Sequence, residues 1–161
     1  MSPAFDQLLS RLVDSKVDFV VVGGLALAVA GVVRGTKDVD IVVDPDPENL
    51  QRLAGLAVVL NGHVQSADTL VSSEFGIRGL LGGGDQVAIE TELGRLDVVQ
   101  GLDGVPPYPE LRSRATEAEI LGVEVPVCGV ADLKTMKRAA GRTRDLADLE
   151  DLDTAADSPP A

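Results

Sequence analysis

The sequence has no tryptophan, one tyrosine and three phenylalanines among 161 residues. A core built from it is aliphatic, and so few aromatics argue against single-strand nucleic-acid binding by stacking on an aromatic platform. One cysteine rules out an internal disulfide framework and a cysteine-based zinc site. One histidine rules out a multi-histidine metal centre. Cations are scarce: 14 Lys and Arg stand against 26 Asp and Glu, for a net charge of −12. A uniformly attractive surface for phosphate backbones is thereby excluded, while a local basic patch is not. The longest apolar run, Phe19 to Val33, carries two central glycines and is too short to span a bilayer. Asp6, Asp14 and Asp18 occupy the start, where a signal peptide would be basic, so the chain is expected to be cytoplasmic and to have no membrane partner.

What is present suits one folded domain. Apolar residues make up 45% and charged residues 25%, and a chain of this length hides roughly 70% of its unfolded surface. The expected domain runs over 1–153, with a flexible tail over 154–161. Phe5, Leu8, Leu9 and Leu12 fall at helical spacing. Val17 to Val22 reads as a buried strand ended by Gly23-Gly24, and Leu25 to Ala30 as a short helix. A second strand, Asp38 to Val43, precedes a helix over 48–60. The stretch from His63 to Leu81 is poorly patterned; a short strand near Glu74 to Ile77 is expected. Val87–Thr91 and Leu96–Gln100 read as an antiparallel pair, and 102–109 as loop. Residues 118–121 and 123–127 flank Gly122 like a hairpin. Asp132 is placed as the cap of a helix reaching Ala140, and a last helix follows Gly141 to about Leu152.

The chemistry lies in two places. Strand side chains alternate, so Asp38 and Asp40 share one face while Val39 and Ile41 enter the core. Two carboxylates so placed repel one another, and a hard divalent cation relieves that repulsion. An isolated Asp-x-Asp is more often a solvated strand edge. Gly23-Gly24, between a buried strand and a helix start, changes the balance, because the backbone there can come close to a phosphate. The second place is electrostatic. Lys134, Lys137, Arg138, Arg142 and Arg144 fall in an acid-free stretch of eleven residues. The bland reading is a solvated helical pair laced by ion bridges.

Val22-Gly23-Gly24, thirteen residues, then Asp38-Val39-Asp40 resembles the signature of the polymerase-β-type nucleotidyltransferase superfamily. VVGGLALAVAGVVRGTKDVDIVV, with Arg34-Gly-Thr36 before the acidic pair, is similar to its minimal AbiEii-like branch of toxin–antitoxin and phage-defence proteins, as is the later MKRAAGRTRDLADLEDL. The resemblance implies an α/β (α+β) nucleotidyltransferase fold: a mixed twisted sheet, helices mainly on one face and a C-terminal helical pair. It implies a third metal-binding carboxylate, for which Asp97 is the candidate, with Glu90 and Glu92 as fallbacks. An ion pair of Asp97 with Arg95 or Arg78 is the competing reading. Asp38, Asp40 and Asp97 would hold two Mg²⁺ ions, with Mn²⁺ as a substitute. Gly23, Gly24, Arg34, Thr36, Lys134 or Lys137, Arg142 and Asp145 would form the nucleotide site. The implied partners are an NTP, an RNA (tRNA included) or protein hydroxyl, and an antitoxin. Leu25 departs from the pattern, since many relatives carry Ser or Thr after the second glycine. It keeps open an inactive nucleotide-binding or protein-interaction module on the same fold.

Gly79-Leu-Leu-Gly-Gly-Gly84 has P-loop glycine spacing, but Asp85-Gln86 stands where Lys-Ser/Thr is needed. His63 is expected as a surface turn residue and Cys128 as a buried thiol.

Overall fold

The computed structural model describes residues 3–157. In chain order the elements are α1 (Phe5–Asp14), β1 (Phe19–Val22), α2 (Gly23–Val29), β2 (Asp38–Val43), α3 (Pro47–Val59), β3 (Val64–Ser66), β4 (Thr69–Val71), α4 (Glu74–Gly82), β5 (Val87–Thr91), β6 (Gly94–Val98), α5 (Tyr108–Arg114), β7 (Thr116–Ile120), β8 (Val123–Val127), α6 (Val130–Ala140) and α7 (Thr143–Asp157). Six strands form one mixed sheet in the order β5-β6-β2-β1-β8-β7, and β3 and β4 form a separate pair. β2 runs antiparallel to β1 and parallel to β6.

The register sorts the side chains into two faces. Val21 pairs with Ile41, Val39 with Leu96, Ile41 with Val98, and Ile89 with Leu96. All of these are buried and make the main core, as the alternation of β2 predicts. On the opposite face Val22 pairs with Asp40, and Asp40 with Asp97. The hydrophobic effect thus fixes the register, and the register sets the carboxylates side by side.

Asn49 on α3, fully buried, holds this arrangement from the far end. Its carboxamide oxygen accepts from the Asp18 amide at 2.7 Å, and its nitrogen donates to the carbonyls of Asp18 (3.0 Å) and Asp44 (2.9 Å). One side chain therefore ties the start of β1 to the end of β2. Asn49→Ala leaves the Asp18 amide and the Asp44 carbonyl unpaired, while the Asp18 carbonyl keeps the Asp44 amide at 3.1 Å, and is expected to cost about 2–4 kcal/mol, read as a lower urea midpoint with unchanged slope.

Four expectations are corrected. Residues 74–77 belong to helix α4, not to a strand: Ser73 caps it by accepting from the Gly76 amide, and Ile77 and Leu81 bury one face. Gly76, Gly79 and Gly82 obscure the helical pattern, because glycine carries neither propensity nor side chain. The end of the expected 102–109 loop turns into α5, whose Leu111 is fully buried. Asp132 is not the cap of α6. Gly129 holds that position, and Asp132 accepts two hydrogen bonds from Arg114 at 2.8 and 2.9 Å. At the end of the chain α7 continues through Asp157, covering 154–157 of the expected tail; 158–161 lie outside the described residues. No helix among the described residues is long and apolar enough to cross a membrane.

Candidate active site

The exposed edge of the carboxylate face opens into a cleft of about 750 Å³. Its floor is Asp38, Asp40 and Asp97. Each offers one carboxylate oxygen, and these oxygens lie within 4.8 Å of one another. Burial first, then the charges of Asp38 and Asp97, push the Asp40 carboxyl up to about 7. Asp38 is raised as well, by burial and by Asp97. Three crowded carboxylates on a half-buried floor form an all-oxygen donor set suited to a hard divalent cation. Glu90 and Glu92 do not join them: Glu90 lies across from Arg95 and Glu92 accepts from Asn61. Asp97 also has the ion pair weighed in the sequence, with Arg95 and not Arg78. Arg95 donates through Nε to Asp97 Oδ1 at 2.8 Å and stands 3.9 Å from Asp38.

The raised Asp40 carboxyl ties stability to pH. Between the ordinary carboxylate value and about 7 the folded state holds a proton that the unfolded chain releases. Without divalent metal, stability should therefore fall as pH rises across that window. Metal binding must displace the same proton, so Mg²⁺ should raise the melting temperature more at pH 8 than at pH 5. Melting curves at several pH values, with and without Mg²⁺, check both slopes.

Gly23 and Gly24 form the turn from β1 into α2. Gly23 has φ +66, and a Cβ there would run into the Asp40 carboxylate. A Cβ on Gly24 would approach the Thr36 hydroxyl at 2.9 Å. The glycine pair is thus required by close packing against the acidic strand and the loop before it. Thr36 donates its hydroxyl to the Asp38 carbonyl at 2.8 Å and fixes the entry to β2. Gly23→Ala combines a strained backbone with displacement of Asp40. It should lower stability by about 1–3 kcal/mol and weaken metal binding, which calorimetry would separate from a purely global loss.

The cations come from α6, the turn after it, α7 and the loop between α2 and β2. Lys137 lines the cleft and contacts Asp145 at 3.3 Å and Asp148 at 3.0 Å. Lys134 lies outside it, paired with Asp153 at 2.6 Å. Of the two lysines left open by the sequence, only Lys137 is brought to the carboxylates. Arg142 lines the cleft and holds Asp145 through its backbone amide and guanidinium. Asp145 is fully buried. Although burial works the other way, hydrogen bonds from Arg142 and the charge of Lys137 hold its carboxyl below the ordinary range. Arg34 pairs with Asp148 at 3.0 Å and with Asp151. Asp145, Asp148 and Asp151 thus form one row on α7 that gathers Arg142, Lys137 and Arg34.

Sequence reasoning did not single out Lys37 or Arg144 as site residues. Both line the cleft, and neither has an ion pair among the described residues. Arg144 was visible within the basic run. Lys37 could have been found from its place directly before Asp38. Leu25 is buried in the core, so the turn carries no hydroxyl at that position. Cys128 is buried as expected, and burial pushes its thiol up to about 12. That thiol stays protonated and is not a nucleophile.

No family model and no curated protein matches the sequence. Solved structures do match in fold. The chain is similar to the lincosamide antibiotic adenylyltransferase LnuA, solved with lincomycin bound, at TM-score 0.63 and 14% identity over 94% of this chain and 96% of that one. It is similar to the antibiotic-resistance factor ANT(2'')-Ia at TM-score 0.61 and 15% identity, over 95% and 82% of the two chains. A candidate nucleotidyltransferase from Thermotoga maritima gives TM-score 0.51 and 16% identity, over 94% and 88%. These likenesses establish the fold as that of the nucleotidyltransferases.

Proposed function

We propose that this chain is a nucleotidyltransferase that moves NMP from an NTP to an acceptor hydroxyl with the help of Mg²⁺. The observation that carries the reading is the convergence of Asp38, Asp40 and Asp97, with ligand oxygens within 4.8 Å, on one side of a cleft lined by Lys137, Arg142 and Arg144. A carboxylate trio facing guanidinium and ammonium groups matches a triphosphate with its metal, because one half binds cations and the other anions.

Asp38 and Asp40 on β2 and Asp97 on β6 would be the metal ligands. Bound Mg²⁺ would polarise the α-phosphate and lower the charge that repels an incoming oxygen. The chain's own residues position the partners. Lys137, Arg142 and Arg34, aided by Lys37 and Arg144, draw the β- and γ-phosphates toward α6 and α7. The acceptor oxygen then bonds to the α-phosphorus in line as the bond to the bridging oxygen breaks. Pyrophosphate leaves with the electron pair, beside the cations that offset its charge. The hydroxyl proton would pass to the Asp97 carboxylate, acting as general base beside Arg95.

The resemblance to the AbiEii-like branch extends this reading to an RNA or protein hydroxyl, to a toxin–antitoxin or phage-defence setting and to an antitoxin partner. Net charge −12 weighs against RNA. LnuA and ANT(2'')-Ia, whose names tie them to antibiotics, raise small molecules as a third acceptor class. A second reading, a nucleotide-binding module without catalysis, is favoured by one observation: buried Leu25 supplies no hydroxyl beside the glycine pair. The two separate in a transfer assay. With α-labelled NTPs and Mg²⁺, offered tRNA, a soluble protein fraction and a panel of hydroxylated small molecules, an enzyme moves label to an acceptor and releases pyrophosphate. Nucleotide binding with no transfer to any of them would support the inactive module.

A further inference from the structure

A second cleft, of about 510 Å³, adjoins the first. Gln86 lines both, and Arg95, which holds Asp97, lines the second. We propose that this second cleft seats the acceptor, and that the acceptor is a compact hydroxylated molecule, uncharged or cationic, not a nucleic acid. The proposal rests on the transferase reading given above and adds where the acceptor enters and what it is.

The order of strands gives the direction. In the sheet β5-β6-β2-β1-β8-β7 the carboxylates sit on β2 and β6. The cations of the first cleft come from α6, the turn after it, α7 and the loop after α2, and α2 packs on β1, β2 and α6. The triphosphate-binding groups therefore lie to the β1 side of the carboxylates. In-line displacement requires the attacking oxygen to arrive opposite the departing pyrophosphate, which here is the β6–β5 side. The register places Ala88 beside Asp97 and Glu90 beside Arg95 on the carboxylate face. Both line the second cleft. An acceptor seated there is next to Asp97.

The lining sets the chemistry. His63, Ser66 and Gln86 carry side chains with no hydrogen-bond partner among the described residues, and suit hydroxyl groups. Asp85 and Glu90 add negative charge, and the one cation of the lining, Arg95, is shared among Asp97 at 2.8 Å and Asp38 and Glu90 at 3.9 Å each, so acids outnumber it. A phosphate-rich ligand would meet repulsion from Asp85, Glu90 and a chain of net charge −12. The volume lies within the range of small-molecule pockets, about 300–1,000 Å³.

Gly79 offers a probe that spares the fold. It lines this cleft in the middle of α4, and a Cβ there would meet nothing within 4 Å. Gly79→Trp occupies the cleft from α4, an element that lends no residue to the first cleft, and replacing a helical glycine does not weaken the helix. The test is saturation-transfer NMR on protein loaded with Mg²⁺ and the α,β-methylene analogue of whichever NTP binds in calorimetry. The probes are glucose, glucosamine, glucose 6-phosphate and a short oligoribonucleotide. Expected are signals from glucose and glucosamine that Gly79→Trp cuts by about tenfold, the scale of one lost contact of roughly 1.4 kcal/mol, while analogue affinity is unchanged. Glu90→Gln should weaken glucosamine relative to glucose by about two- to fivefold, as for an exposed ion pair. Three results overturn the proposal: sugar signals indifferent to Gly79→Trp, preferred binding of glucose 6-phosphate or the oligoribonucleotide, or no sugar signal from protein that has taken up the analogue. Failure of the wild type to bind any NTP analogue is a distinct result. It removes the transferase reading itself, and this proposal with it.

Discussion

Asp40→Asn should abolish NMP transfer and at the same time make the metal-free protein more stable at pH 8. The two effects share a cause. Asp40 lies half-buried between Asp38 and Asp97, and burial together with those charges pushes its carboxyl up to about 7. Ionising it in the free protein is unfavourable, and an amide of the same shape removes that cost. The expected gain is about 1–2 kcal/mol, the usual yield of relieving a functional strain. The loss is larger. Metal-assisted charge stabilisation contributes several kcal/mol to a transition state, and at about 1.4 kcal/mol per tenfold this corresponds to roughly a thousandfold or more in rate. Urea denaturation at pH 8 without metal, alongside the transfer assay, reads both. A variant that loses activity and stability together would make Asp40 a structural carboxylate instead.

Lys137→Met should act in the opposite sense on stability. The Lys137 side chain is only 15% exposed and lies between the Asp145 and Asp148 carboxylates, which are 0% and 6% exposed. Removing one partner of a buried ionic cluster costs about 3–5 kcal/mol. Here Arg142 still holds Asp145 and Arg34 still holds Asp148, so the expected loss is about 2–4 kcal/mol. Adding Asp148→Asn to Lys137→Met should recover part of it, because the uncompensated charge is then gone. Nucleotide affinity should fall by at least about tenfold, a single charge-assisted contact of roughly 1.5–3 kcal/mol, and the second substitution should not restore it. That split distinguishes a phosphate-binding lysine from one that only supports α7. Full recovery of both properties would leave Lys137 with a structural role alone.

The state of the cations also shapes how a nucleotide would enter. Lys137, Arg142 and Arg34 are each held by carboxylates of α7. Lys37 and Arg144 line the cleft without ion pairs among the described residues. On the proposed function, an incoming triphosphate would meet those two first and compete with Asp145, Asp148 and Asp151 for the rest. Nucleotide affinity would then be a difference between two sets of ion pairs, and it should weaken as salt rises.

The parts of the site that were legible in the sequence are those set by short-range geometry. Alternation puts Asp38 and Asp40 on one face whatever else the chain does, and an acid between the apolar residues Leu96 and Val98 marks Asp97. What stayed hidden depends on packing across long separations. Nothing local shows that Lys137 turns to the cleft while Lys134 turns to Asp153, since both lie on α6 and the choice is made by where α7 docks. Asn49 reads as an ordinary polar residue near a helix start, and only the meeting of β1 with the end of β2 reveals its three hydrogen bonds to backbone. Helix α4 was lost because its three glycines dilute a pattern that Ile77 and Leu81 carry almost alone. The second cleft follows from that same helix, so it too was out of reach of the sequence.

Calorimetric titration of each NTP, with and without Mg²⁺, on the wild type and on Asp38→Ala/Asp40→Ala addresses the central claim directly. The account predicts binding that requires Mg²⁺ and that the double variant loses. Metal-independent binding that survives in the double variant, or no binding of any NTP to a folded wild type, would contradict it.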